Sequence, residues 1–230
     1  MNKRTVIVVA GGSGKRMGSK IPKQFLEIGG KAILIRTLEN FIHFDPDMQV
    51  ILALPESQMN YWDELTIDWE YAKKVQVVKG GSERFYSVKN ALNAVSPKCE
   101  KIAVHDGVRP FISNDLISRG FECIDVSHAA IPVIPSKDSI RVFKPTESYS
   151  KSVDRNTILH VQTPQVFDAN TLLNAYKQDY NESFTDDASV VENMGEKINL
   201  FKGNEMNFKI TSPEDLEFAE YIVTKKEKGL

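Results

Sequence analysis

The sequence predicts an α/β fold: a mostly parallel, open twisted sheet with helices on both faces, from which a β-hairpin arm projects. Three observations point to it. A β-branched run at residues 5–10 stops abruptly at glycines, as the central strand of a parallel sheet covered on both faces does. Short apolar runs then alternate with helical patterns, the signature of βαβ units. Between residues 137 and 160 that rhythm breaks into short polar-alternating pieces.

In chain order, further strands are expected at residues 50–54, 75–78, 101–105 and 129–134, and helices at 33–41, 84–94 and 112–124, each from its apolar period. Residues 137–160 form the arm, with Pro145, Glu147 and Ser148 in its turn. An isolated two-stranded hairpin is marginal in water, so the arm is expected to dock on a second copy of the chain. Helices at 169–179 and 187–194 and a strand at 198–201 follow. The last helix opens at Ser212-Pro213-Glu214-Asp215: serine caps, proline takes the first position and the acids complement the helix dipole. Lys225, Lys226 and Lys228 suit its other end.

At 230 residues, one domain spanning 1–230 can bury a core without disulfides or metals to hold it. The 29 Lys and Arg residues balance 31 Asp and Glu, which leaves no basic stripe of the kind a nucleic acid needs. Cys99 and Cys123 form no CxxC or zinc spacing and are expected to be reduced packing residues. The apolar stretch near the N-terminus is too short for a signal segment or a membrane span, so a cytoplasmic location is expected, with no membrane partner.

The sharpest chemical feature is residues 10–24, which follow the first strand. Glycines there let backbone N–H groups close on phosphate oxygens, and Lys15, Arg16, Lys20 and Lys23 supply the charge to neutralise a nucleoside triphosphate. The Walker pattern fails at both ends, because Val9 stands where its first glycine belongs and Arg16 where its Ser or Thr belongs. The dinucleotide fingerprint fails too, with Met17 at its third glycine.

Ala10-Gly11-Gly12-Ser13-Gly14-Lys15-Arg16-Met17-Gly18, followed by Pro22-Lys23-Gln24-Phe25, resembles the signature of the sugar-phosphate nucleotidyltransferases, in their cytidylyltransferase branch. Further blocks follow: Gly80-Gly81-Ser82-Glu83-Arg84 with Ser87, His105-Asp106-Gly107-Val108-Arg109-Pro110, and Val153-Asp154-Arg155-Asn156. Then come Gln162-Thr163-Pro164-Gln165, Thr185-Asp186-Asp187-Ala188-Ser189, and Asn207-Phe208-Lys209-Ile210-Thr211 ahead of Pro213-Glu214-Asp215-Leu216. In that order they are similar to the 2-C-methyl-D-erythritol 4-phosphate cytidylyltransferase family, from the first strand to the last helix. Ribitol-5-phosphate cytidylyltransferases share the glycine loop and two of the blocks, but residues 153–156 and 185–189 match the methylerythritol family better. Gly11, Ser82 and Gly107 depart from its commonest pattern.

The resemblance implies transfer of a cytidylyl group from CTP to a small polyol phosphate, with Mg2+ bridging the triphosphate and a homodimer formed through the arm. Arg16 and Lys23 would meet the α-phosphate, while Gly12, Ser13, Gly14 and Lys15 hold the β and γ phosphates. Ala10, Gly11, Gly81, Ser82 and Ser87 would line the cytosine pocket, and Asp106 would be the carboxylate nearest the metal, unless it is a turn aspartate. Lys209 and Arg155 would position the acceptor, with Arg109, Ser139, Thr163 and Thr185 near its hydroxyls or phosphate. Arg84 is either a cleft residue or the opening of a helix, His105 is read as packing, and Asp186 and Asp187 suit helix capping. A nucleotide-binding module without chemistry would have no use for Arg16, Lys23, Arg155 and Lys209 together.

Overall fold

The computed structural model describes residues 3–11 and 21–227. The chain runs β1 (Arg4–Val9), a tight hairpin of β2 (Glu27–Ile28) and β3 (Lys31–Ala32), α1 (Ile33–Phe44), β4 (Gln49–Leu54), α2 (Met59–Leu65), β5 (Val75–Lys79), α3 (Arg84–Leu92), β6 (Lys101–Asp106), α4 (Asn114–Cys123) and β7 (Ala129–Pro135). It continues through β8 (Ile140–Phe143), β9 (Ser150–Val153), β10 (Leu159–Val161), β11 (Gln165–Asp168), α5 (Ala169–Ala175), α6 (Asp187–Glu192), β12 (Asn199–Lys202) and α7 (Pro213–Glu227).

The central strands carry apolar residues on both faces, and each face is covered. Val6 and Val8 of β1, with Val50, Leu52 and Leu54 of β4, face a layer made by α1, α2 and α4. Ile7, Ile51, Ala53, Ile102 and Val104 face the opposite layer of α3, α5 and α6. This is why β1 and β4 read as continuous apolar runs rather than as alternating ones. β1 pairs in parallel with β4 and β6, β4 with β5, and β7 with β12. β11 inserts antiparallel between β6 and β7, so the open, mostly parallel sheet carries an antiparallel insert.

Several boundaries differ from the expectations. β11 and α2 were not expected: Gln165–Asp168 offers only Val166 and Phe167 as an apolar signal, and α2 buries only Trp62. The β2–β3 hairpin turns on Gly29 and Gly30, both at positive φ, the requirement of a two-residue primed turn. The helix expected over 169–179 ends at Ala175, where Tyr176 leaves helical geometry. The arm is the antiparallel pair β8–β9, but it closes earlier than residue 160. Leu159, His160 and Val161 form β10 in the main sheet, His160 opposite Ile134, because β7 runs past its pairing with β11 and its remaining backbone groups need partners.

Candidate active site

A cleft of about 300 Å3 opens at the carboxyl ends of β1, β5 and β6, the edge at which open α/β sheets bind ligands. Gly11, Gly81, Ser82 and Ser87 form one side of it. The Ser87 hydroxyl accepts from the Gly81 N–H at 3.0 Å and donates to the Glu83 carbonyl at 3.1 Å, folding the turn back on the start of α3. A Cβ on Gly81 would lie 2.2 Å from Tyr86 Cβ, so that wall requires glycine. Buried Gln24 donates to the Ala10 carbonyl at 2.8 Å and fixes the end of the first strand's exit. A Cβ on Gly107 would lie 3.0 Å from Leu34 Cδ1 and 3.1 Å from Ala10 Cβ, so glycine lets α1 close up behind the cleft.

Cations form the other side. Asp106, the last residue of β6, gathers three of them. Arg84 Nη1 lies 3.5 Å from its Oδ1, while Arg109 Nε at 3.0 Å and Lys209 Nζ at 3.2 Å share Oδ2. Burial alone would raise the Asp106 carboxyl, but the charges of Arg84, Lys209 and Arg109 outweigh it and hold the group well below the usual carboxylate range. Buried Lys23 donates to the Ile210 carbonyl at 3.3 Å, one residue from Lys209, and lines the same cleft. Arg109 also donates to the Asn207 carbonyl at 2.8 Å. A second cleft, flanked by Ile134, Lys137, His160 and Phe208, meets the first at Lys209 and has Arg109 in its wall.

Behind Asp106 lies a fully buried His105. Its Nε2 donates to the Arg109 carbonyl at 3.2 Å, and its Nδ1 lies 3.0 Å from the Thr163 hydroxyl, which accepts from the Asp106 N–H at 3.1 Å. Burial pulls the imidazole down to about 4 and keeps it neutral. His105 is therefore a strut of the loop that carries Asp106 and Arg109, more than the packing residue the sequence suggests.

The first cleft brings together Ala10, Gly11, Lys23, Gly81, Ser82, Ser87, Asp106 and Lys209. Gly12, Ser13, Gly14, Lys15 and Arg16 lie outside the described residues. Arg109 joins through the second cleft. Thr163 is buried, and its hydroxyl serves His105 and Asp106 rather than facing either cleft. Ser139, Arg155 and Thr185 are exposed and line neither cleft within this chain, and Arg155 donates to the Lys137 carbonyl at 2.9 Å. The alternatives left open for Arg84 resolve into both at once: it opens α3 and it lines the cleft. Asp186 caps α6 with a reciprocal bond to Ser189, whereas Asp187 is fully buried against Arg84 and Tyr176. Gln24 and Asn207 stand inside quoted sequence blocks, and that position was their only signal. Among the described residues there is no group of three or more potential metal ligands, and no helix is long and apolar enough to cross a membrane.

Residues 4–225 match the family described as IspD, 2-C-methyl-D-erythritol 4-phosphate cytidylyltransferase. The enzyme of that name from Bacteroides fragilis is 50% identical over 96% of this chain and 99% of its own length. Its counterpart from Phocaeicola vulgatus is 47% identical over the same shares. The crystal structure of 4-diphosphocytidyl-2C-methyl-D-erythritol synthase from Anaerococcus prevotii superposes with a TM-score of 0.81 at 26% identity, covering 97% of this chain and 99% of that one. With near-complete coverage at this identity, the chain belongs to the 2-C-methyl-D-erythritol 4-phosphate cytidylyltransferase family.

Proposed function

We propose that this chain transfers the cytidylyl group of CTP to 2-C-methyl-D-erythritol 4-phosphate, giving 4-diphosphocytidyl-2-C-methyl-D-erythritol and pyrophosphate, a step of non-mevalonate isoprenoid precursor synthesis. The observation that carries this reading is the pair of clefts joined at Lys209, with Asp106 holding Arg84, Arg109 and Lys209 where two phosphorylated substrates would meet. An acceptor phosphate oxygen forms a bond to the α-phosphorus as the bond from that phosphorus to the β-phosphate breaks, and pyrophosphate leaves with the electron pair. The acceptor phosphate is already ionised at neutral pH, so no general base is needed, and catalysis reduces to alignment and charge neutralisation. Arg16 and Lys23 act on the α-phosphate, Gly12, Ser13, Gly14 and Lys15 on the β and γ phosphates, and Ala10, Gly11, Gly81, Ser82 and Ser87 on the base. Arg109 and Lys209 receive the acceptor; Ser139 and Thr185, which line neither cleft within this chain, would meet its hydroxyls only in the assembled dimer.

Mg2+ fits this site as an ion that takes most of its ligands from the triphosphate. Two carboxylate residues line the cleft, Glu83 and Asp106, with Asp106 held ionised by its cations, and such ions bind through one or two carboxylates plus phosphate oxygens and water. It would neutralise triphosphate charge, and Asp106 is the residue to hold it.

We assign the working unit as a homodimer whose arms cross. Val142, Phe143 and Tyr149 are 58%, 64% and 62% exposed on the arm, apolar surface that favours cover from a second copy. In such a dimer Arg155 would reach the partner's acceptor site. Reaction in the cytoplasm accords with the two free thiols, Cys99 and Cys123. The test measures pyrophosphate release from CTP and Mg2+ with methylerythritol phosphate and ribitol 5-phosphate side by side. Turnover only with the former is expected, and preference for ribitol 5-phosphate would reject the assignment.

A further inference from the structure

Arg84 is the first residue of α3, where the positive end of a helix disfavours a cation. Helix energetics therefore do not account for it, and its partners do. The guanidinium reaches in two directions. Nη1 faces Asp106 Oδ1 at the cleft, 3.5 Å away, and Nη2 contacts Oδ2 of Asp187, whose side chain is completely buried. The other oxygen of Asp187 accepts from the Tyr176 hydroxyl at 2.7 Å, and Tyr176 is itself buried against Phe85. Asp187 in turn sits on a fixed platform. It opens α6, where its charge is favourable, and Gln165 of β11 pins that end by donating to Asp186 at 2.7 Å and accepting from the Ala188 N–H at 2.8 Å.

A guanidinium is a rigid planar fork, so holding one nitrogen sets the direction of the other. Burial would lower the Arg84 pKa, but Asp187 and Asp106 outweigh it and keep the group charged. We propose that Asp187 and Tyr176, which line neither of the two clefts, are positioning residues for the transfer reaction. They lock Arg84 against Asp106 Oδ1, which leaves Oδ2 turned toward Arg109 and Lys209, the cations that meet the acceptor. Without the lock, Asp106 is free to rotate about its side chain, and Lys209 loses its fixed place between the two clefts.

This role rests on the reaction assigned above, and steady-state kinetics with CTP, methylerythritol phosphate and Mg2+ test both. Tyr176→Phe keeps the ring and removes one hydrogen bond. It should lower kcat about threefold while the KM for CTP stays within about twofold, since only alignment is disturbed. Asp187→Asn should lower kcat by about tenfold or more. In an Arg84→Gln background the same Asp187→Asn change should add less than about twofold, because coupled residues are not additive. Two active variants with wild-type kcat and merely reduced Tm would show the chain of contacts to be structural and overturn the proposal. So would an undiminished Asp187→Asn effect in the Arg84→Gln background. If Asp187→Asn fails to fold, Tyr176→Phe decides alone by its kcat. A wild-type chain that releases no pyrophosphate would instead remove the reaction, and the positioning role with it.

Discussion

At the scale of single residues, the site is an arrangement for holding cations close together. Arg84, Arg109 and Lys209 would repel one another without Asp106, and Asp106 would be costly to bury without them. His105 holds the loop that makes this possible, and only as a neutral ring can its Nδ1 accept from Thr163. The unfolded chain takes up a proton near 6.5 and the folded chain only near 4, so falling pH favours the unfolded state across that window. The corresponding stability is present at pH 7 and is lost progressively below pH 6.5, amounting to about 2 kcal/mol by roughly pH 5. Denaturant titrations of the metal-free protein at the two pH values should show this loss, and His105→Asn should flatten most of it. An unchanged pH slope in that variant would assign the effect to other groups. Gly81 offers a second test at this scale. Because a Cβ there meets Tyr86 at 2.2 Å, Gly81→Ala should shift the start of α3, cost about 1–3 kcal/mol of stability and weaken CTP binding by calorimetry.

Among the described elements, the arm stands out for its exposed apolar surface, with Val142, Phe143 and Tyr149 all more than half exposed. β8 and β9 bury nothing fully: all eight of their residues are partly or fully exposed, the flanking Ser139 and Arg155 are exposed, and Phe143 is 64% exposed. If each arm delivers Arg155 to the other chain, mixing an inactive Arg16→Ala chain with an inactive Arg155→Ala chain should restore about a quarter of wild-type activity. Half of randomly re-paired dimers are mixed, and each then has one site with both residues intact. Subunit exchange without any recovery would mean that Arg155 acts within its own chain.

For the whole molecule, the sheet separates a site end from a stabilising end. Phe121 is 1% exposed in the α1–α4 layer, and the Arg4 guanidinium lies 5.2 Å from its ring. Arg4 begins β1, so Phe121 sits at the sheet edge opposite the cleft. Phe121→Ala should cost about 3–5 kcal/mol through lost burial and a cavity. Its kcat/KM, measured well below Tm, should nonetheless stay within about twofold of wild type, because substitutions far from a shared contact act independently. A large kinetic loss under those conditions would mean that the two ends are coupled through the core.

The sequence by itself determined the layered α/β architecture, because apolar period and glycine placement are local properties: β1, β4, β5, β6 and α1 all lie where their patterns put them. It also carried the family and much of the lining of the first cleft, since Ala10, Gly11, Lys23 and Gly81-Ser82 sit in contiguous blocks. Tertiary structure alone decided what joins those blocks. Asp106 meets Lys209 across 103 positions and Arg84 meets Asp187 across the same separation, and no local period encodes a contact of that range. β11 shows the same limit in the backbone: four residues with two apolar side chains become a central strand only because β6 and β7 are already there to pair with it.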